Sequence, residues 1–258
     1  MPERNSSTRK SRERRRKLKT LDRVISKAGL GSRTEARRWI GRGRVQVNGK
    51  VIQTPDHWVD LDSDRVTVDG QPLEKAEHRY ILLYKPKGYV TTYRDPQGRP
   101  TVYSLIEGVG QFVGTVGRLD LDTTGLLLLT NDNDLAEALT NPERKIQKTY
   151  LVKASTLLSH EQLRHLETGV ELSDGITRPA IVRRIRDSAK YTFLEIIITE
   201  GRNRQVRRML EAIGSKVLKL VRTQLGPLKL DELKIGQWRL LDPGEVDELK
   251  RASRPKKS

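Results

Sequence analysis

An arginine and two aspartates stand between glycines in Gly117-Arg118-Leu119-Asp120-Leu121-Asp122-Thr123-Thr124-Gly125. An aspartate can serve as a nucleophile or as a general acid–base, provided that something rigid aims it. The chain runs straight on into Leu126-Leu127-Leu128-Leu129-Thr130 and the turn-like Asn131-Asp132-Asn133. A continuous apolar run closed by turn residues reads as a strand buried on both faces. Polar residues on a loop held against such a strand are a common way to place chemistry. The same spacing also suits carboxylates that merely cap a turn and pair with nearby arginines. Glycoside hydrolysis by Asp120 and Asp122 fits poorly, because two residues on one loop do not flank a glycosidic bond. Asp122 is better read as a structural, loop-ordering residue.

A second cluster is Glu200-Gly201-Arg202-Asn203-Arg204-Gln205-Val206-Arg207-Arg208-Met209-Leu210-Glu211-Ala212-Ile213-Gly214. A helix over residues 203–213, stopped by Gly214, gathers Val206, Met209, Leu210 and Ile213 on one face. Arg204 and Arg208 then point away from that face, free for phosphate, and Arg207 lies on the boundary. A boundary arginine can reach a semi-buried carboxylate. The bland alternative is four solvated arginines.

Other chemistries are excluded. The chain has no Cys, so disulfides, thiolate zinc sites and a cysteine nucleophile are absent. His160 and His165 are off the i, i+4 spacing of a chelating pair, and no metal site is expected. Gly108, Gly110, Gly114 and Gly117 do not keep the dinucleotide spacing, and a strand rather than a helix follows. No phosphate-binding P-loop occurs, no segment has the length to span a bilayer, and the N-terminus carries no apolar signal. These features predict a soluble, cytoplasmic protein.

The formal charge of +17 points to a polyanionic partner. Residues 1–20 carry +7 and residues 250–258 carry +5, so the body between them is only mildly basic. A disordered basic tail is expected over residues 1–18 and another over residues 248–258. Such tails attract phosphate without reading sequence.

Between the tails, the elements that must position the polar clusters can be taken in order. Leu21, Val24, Ile25 and Ala28 predict a helix closed by Gly29 and Gly31. Ser32-Arg33-Thr34-Glu35 is a capping box, opening a second helix that stops at Gly41 and exposes Arg33, Arg37 and Arg38. Asn48-Gly49 and Asp69-Gly70 each predict a hairpin with a type I′ turn. Residues 74–79 read as a linker. A second domain, residues 80–247, begins with a strand from Tyr80 that ends at Lys85-Pro86. A short helix near Leu135–Leu139, a strand over 146–154, a helix opened by the Ser159–Gln162 capping box and strands over 178–185, 191–199, 217–221 and 238–241 follow. The expected class is α+β with a mixed, mainly antiparallel sheet.

These motifs carry a resemblance. Residues 21–73 resemble an S4 RNA-binding domain, notably Ala28-Gly29-Leu30-Gly31-Ser32-Arg33-Thr34-Glu35-Ala36 and Gly43-Arg44-Val45-Gln46-Val47-Asn48-Gly49, within a module assigned to residues 19–75. The second domain resembles the pseudouridine synthases, most closely the branch that modifies ribosomal RNA and carries an N-terminal S4 domain. The matching segments are Lys85-Pro86-Lys87-Gly88, Gly117-Arg118-Leu119-Asp120, Asp122-Thr123-Thr124-Gly125-Leu126, Lys148-Thr149-Tyr150 and Gly201-Arg202-Asn203-Arg204-Gln205-Val206-Arg207-Arg208. Any one is weak; their order along the chain is specific.

The resemblance implies roles. Asp120 matches the catalytic aspartate, Tyr150 the tyrosine that stacks on the flipped base and takes the C5 proton, and Arg207 the basic residue paired with the aspartate. Arg118 falls where related enzymes help displace the base. Lys85, Arg33, Arg37, Arg38, Arg202, Arg204 and Arg208 are expected to contact RNA. Isomerising uridine re-forms a C1′ bond through C5 with no net redox change, so no cofactor or metal is required. The implied partner is ribosomal RNA or a precursor subunit, favouring the large subunit, and the implied state is a monomer. The alternatives are a small-subunit 16S synthase and a non-catalytic S4-type assembly factor.

Overall fold

The computed structural model describes residues 18–60, 62–74 and 77–255. The expected N-terminal tail therefore lies, but for Leu18, outside the described residues.

A first compact unit runs to Arg79 and takes in Val109–Gly114 from later in the chain. Two helices, α1 (Leu21–Lys27) and α2 (Arg33–Gly41), form where the apolar spacing and the capping box predict them. Ser32 Oγ accepts from the Glu35 N–H and the Glu35 carboxylate accepts from the Ser32 N–H, so two otherwise orphaned donors are satisfied. The strands are β1 (Lys19–Thr20), β2 (Val45–Val47), β3 (Lys50–Val51), β4 (Trp58–Val59), β5 (Val66–Val68) and β6 (Gln71–Pro72). An antiparallel sheet runs β3-β2-β5-β6, and β1 pairs with β4. Both tight turns take the left-handed region at two successive residues, Asn48 (φ 51) with Gly49 (φ 78) and Asp69 (φ 51) with Gly70 (φ 79). This is the type I′ geometry that Asn-Gly and Asp-Gly favour. Leu21, Ile25, Ala36, Ile40 and Val45 are fully buried between helices and sheet. Val109–Gly114, placed by sequence in the second domain, joins this unit through the Phe112 N–H, which donates to the Gly29 carbonyl at 2.8 Å.

The second unit holds β7 (Tyr80–Lys85), β8 (Thr124–Thr130), β9 (Lys148–Ala154), β10 (Ile181–Asp187), β11 (Thr192–Ile198), β12 (Val217–Leu225) and β13 (Trp238–Leu240). Its helices are α3 (Asn133–Thr140), α4 (His160–Thr168), α5 (Gln205–Ala212) and α6 (Pro243–Ala252). The main sheet runs β10-β11-β9-β12-β8-β7-β13, antiparallel throughout except for the β12–β8 pair. As expected, β8 is buried on both faces, with Leu126, Leu127, Leu128 and Leu129 fully enclosed. Burying each leucine contributes roughly 1.5–3 kcal/mol, so the strand is a rigid base for the loop in front of it.

Gly125 marks the tightest approach in the sheet. Its φ is +114°, and an added Cβ would lie 2.2 Å from the Arg222 carbonyl oxygen. Only glycine lets β8 and β12 meet there in parallel.

Two readings are corrected. Residues 248–255 are not a tail: α6 begins at Pro243 under a capping box of Asp242 and Glu245, and Leu249 is fully buried. The helix expected from residue 203 starts at Gln205, because Arg204 adopts φ 47, ψ 33.

Candidate active site

The Asp120 loop leaves the buried end of β8, and its main chain is held from below. Lys85, the last residue of β7, is fully buried. Its Nζ donates to the carbonyls of Pro86 (3.1 Å), Asp120 (3.0 Å) and Thr123 (2.9 Å). An ammonium has three N–H donors, and here all three are used. Burial pushes the Lys85 ammonium down to about 8, against the opposing charges of Asp120 and Asp122. Lys85 was expected to contact RNA; enclosed in this way it positions the loop instead.

Arg207 acts on the same loop from α5. Its Nη2 donates to the Asp122 carbonyl (3.1 Å) and to Thr123 Oγ1 (3.4 Å). Its Nη1 donates to the Val217 carbonyl at 3.4 Å. Burial, with Arg204 nearby, lowers the Arg207 guanidinium, while the Asp122 and Asp120 charges oppose that. The expected direct Asp120–Arg207 ion pair is not formed. The boundary position turned the guanidinium inward, toward main-chain oxygens rather than the carboxylate. The cation facing Asp120 is Arg204, with Nη1 at 4.0 Å from Oδ2. Arg204 reaches it because a left-handed backbone, unusual for a non-glycine residue, ends the approach to α5. The Asp120 side chain keeps 32% of its surface open. The Asp122 side chain is half exposed and 4.0 Å from Lys87, so its carbonyl rather than its carboxylate orders the loop.

A cavity of about 310 Å³ opens beside this loop and lies wholly within the second unit. Arg118 and Asp120 line it from the loop, Lys148 and Tyr150 from β9, and Arg204 from the start of α5. Motifs some 85 residues apart in sequence thus meet in one place. Tyr150 is only 9% exposed and belongs to the same buried cluster as Val206, Met209, Leu210 and Ile213, the face of α5 that the helical spacing predicted to be apolar.

The remaining arginines divide. Arg208 grips Asp174 with both terminal nitrogens, at 2.8 and 3.1 Å. Arg202 donates to the Gly175 (2.7 Å) and Ile176 (2.6 Å) carbonyls and to Glu200. Both are committed to the hairpin of Glu171–Leu172 and Gly175–Ile176 rather than pointing freely outward. In the first unit, Arg33 and Arg37 both donate to the buried Asp22, and Arg38 is exposed. Sequence missed Arg222, a cavity-lining arginine that is 3% exposed. Its one signal was an arginine directly after the strand-like run over residues 217–221. Among the described residues no group of three or more acidic or histidine side chains is placed to hold a metal, and no helix is long and apolar enough to cross a membrane.

The pattern of the RNA pseudouridylate synthase family matches residues 79–212, and that of the S4 domain matches residues 19–66. The chain belongs to the RNA pseudouridylate synthase family. It is 43% identical over 235 residues to the ribosomal large subunit pseudouridine synthase B of Bacillus subtilis, covering 90% of this chain and 96% of that one. An uncharacterized RNA pseudouridine synthase of Aquifex aeolicus is 41% identical, with 90% and 94% covered. Among solved structures, a pseudouridylate synthase superposes with a TM-score of 0.65 at 31% identity, covering 89% of this chain and 99% of that one. This chain is therefore a pseudouridine synthase with an S4 domain, as the motifs implied. The geometry suits that chemistry: a carboxylate on a clamped loop, an aromatic platform and cations share a cavity large enough for a base.

Proposed function

We propose that this enzyme converts a uridine of large-subunit ribosomal RNA to pseudouridine, with Asp120 as nucleophile on a flipped-out base. The observation that carries the reading is the convergence of Asp120, Tyr150 and Arg204 on one cavity, in a chain so similar to a large-subunit synthase over nearly its whole length. Extruding a base costs a few kcal/mol. Stacking on Tyr150 offsets about 1–3 kcal/mol of that. Arg118, at the cavity wall, helps displace the base from its helix. The Tyr150 hydroxyl, or water held beside it, takes the C5 proton. Arg207 supports Asp120 through the loop, holding the main chain of Asp122 while Arg204 supplies the facing charge.

The S4 unit binds structured RNA through Arg38 and the outer edges of Arg33 and Arg37. The enzyme acts as a monomer on RNA or a precursor subunit, in the cytoplasm where that substrate lies. The test is chemical mapping of pseudouridine in ribosomal RNA from cells with and without the gene, complemented by wild type or Asp120→Asn. One large-subunit site should vanish with the gene and return only with wild type. A lost site in small-subunit RNA would move the substrate, and return with Asp120→Asn would remove Asp120 from its role.

A further inference from the structure

We propose that Arg222 donates to a carbonyl oxygen of the target pyrimidine and stabilises the charge that the ring carries when N1 and C1′ part. The proposal rests on the synthase reading above. Arg222 is 97% buried yet lines the cavity. Its Nε donates to the Leu126 carbonyl at 2.8 Å, which fixes the plane of the guanidinium. Its Nη2 is enclosed and has no hydrogen-bond partner. Buried donors in native proteins are almost always paired, and an orphan at a cavity wall calls for a ligand. No carboxylate pairs with it among the described residues. The nearby Glu200 is already taken by the Arg178 N–H, the Gln205 amide and Arg202.

The second observation is register. Arg222 on β12 is the direct partner of Tyr150 on β9, so both side chains leave the same face of the sheet as neighbours. A ring stacked on Tyr150 therefore brings one edge against Arg222. The arginine's own main chain is fixed by its close approach to Gly125.

The chemistry gives that donor work at two stages. When the N1–C1′ bond breaks, its electron pair goes to the pyrimidine, the charge spreads onto O2 and O4, and the Asp120 carboxylate bonds C1′, from which C5 later displaces it. The ring turns about its N3–C6 axis until C5 faces C1′, and this turn exchanges the positions of O2 and O4. C5 then bonds to C1′ and loses its proton, while N1 takes one up, so substrate and product have the same composition. A single fixed donor meets one carbonyl before the turn and the other after it.

The experiment measures single-turnover rates at saturating enzyme for wild type, Arg222→Lys and Arg222→Met. The substrates are RNAs bearing uridine, 2-thiouridine or 4-thiouridine at the target. On uridine, loss of the donor in Arg222→Met should slow conversion about 100-fold, and Arg222→Lys should recover part of it. Sulfur accepts hydrogen bonds weakly, so the penalty should shrink about tenfold on at least one thio-substrate. An equal penalty on all three RNAs would overturn the proposal and leave Arg222 a strand-pairing residue. If Arg222→Met does not fold, the same substrate series on Arg222→Lys decides. A wild type inactive on uridine RNA would instead overturn the synthase reading.

Discussion

Asp22 in the first unit and Asp120 in the second are both aspartates with arginines beside them, and they end in opposite states. Asp22 is fully buried and accepts from Thr20 Oγ1 (2.6 Å), the Arg23 N–H (2.8 Å), Arg33 (2.8 Å) and Arg37 (2.8 Å). Burial alone would raise its carboxyl; those donors outweigh it and hold the group at about 2. Asp120 has its main chain clamped by Lys85, while no hydrogen bond reaches its carboxylate among the described residues. A structural carboxylate has its lone pairs consumed; a reactive one is held by its backbone and kept open. The difference lies in which atoms the cations grip.

The largest effect should come from the open carboxylate. Asp120→Asn keeps the loop's main-chain contacts and removes the proposed nucleophile, so conversion should fall at least about 1,000-fold. RNA affinity, read by filter binding, should stay within about threefold of wild type. An equal loss of both would mean that Asp120 serves the fold as Asp22 does.

Next comes the clamp. Lys85→Met leaves three carbonyls without their donor while sparing every group that faces the cavity. The expected result is a loss of about 100-fold in single-turnover rate, since small misplacements of a reacting group are that costly. The clamp also predicts a pH dependence. Below about 8 the ammonium has a proton for each carbonyl; above that it loses one and a contact with it. Wild-type turnover should therefore decline as pH rises through about 8, and Lys85→Met should be slow and decline less, what remains belonging to Lys148 on the cavity wall, which burial also lowers to about 8. A decline as steep in the variant as in wild type would assign it wholly to another group.

Much of this contrast was legible in the sequence, but unevenly. The capping boxes at Ser32 and Ser159, the Asn-Gly and Asp-Gly turns, the buried β8 run and the apolar face of α5 are local patterns, and each formed as read. The resemblance brought Asp120 and Tyr150 to one site, and they share one cavity. What stayed hidden depends on contacts across the sheet. Lys85 reads as a surface lysine until β7 is seen next to β8. Arg222 meets Leu126 across 96 residues of chain, and no local period announces that. Arg204, with its left-handed backbone ahead of α5, faces Asp120 in the place expected of Arg207, and Arg207 turned to the loop carbonyls. The helix α6 was lost in a run of charges whose basic count pointed to a tail.

On the saturated side of the comparison, Asp22→Asn should cost stability rather than chemistry. A carboxyl held at about 2 against the ordinary aspartate value of 3.8 contributes roughly 2 kcal/mol above pH 4. Because the folded value is the lower one, this contribution is complete above the unfolded value and fades as pH falls from about 4 toward 2. Hydrogen exchange in α1 and α2 should be faster in Asp22→Asn at neutral pH, and the gap from wild type should close near pH 2. A gap constant with pH would show that the charge on Asp22 is not what stabilises the unit.

The smallest effect isolates a cation that grips nothing. Arg38 is exposed on α2, one residue beyond Arg37, and its side chain makes no hydrogen bond or ion pair among the described residues. Arg33 and Arg37 are partly occupied by Asp22, so Arg38 carries the charge most available to a phosphate on that helix. Replacing one such contact removes about one released counterion. Arg38→Ala should weaken RNA binding a few-fold at moderate salt and lower the salt slope by about 0.9. Folding stability should move by less than about 0.5 kcal/mol, because nothing in the fold rests on that side chain. Arg33→Ala should do the reverse, weakening the unit through Asp22 more than it changes the salt slope. If both variants shifted the slope alike, the grip on Asp22 would leave the outer edge of Arg33 as free for phosphate as Arg38.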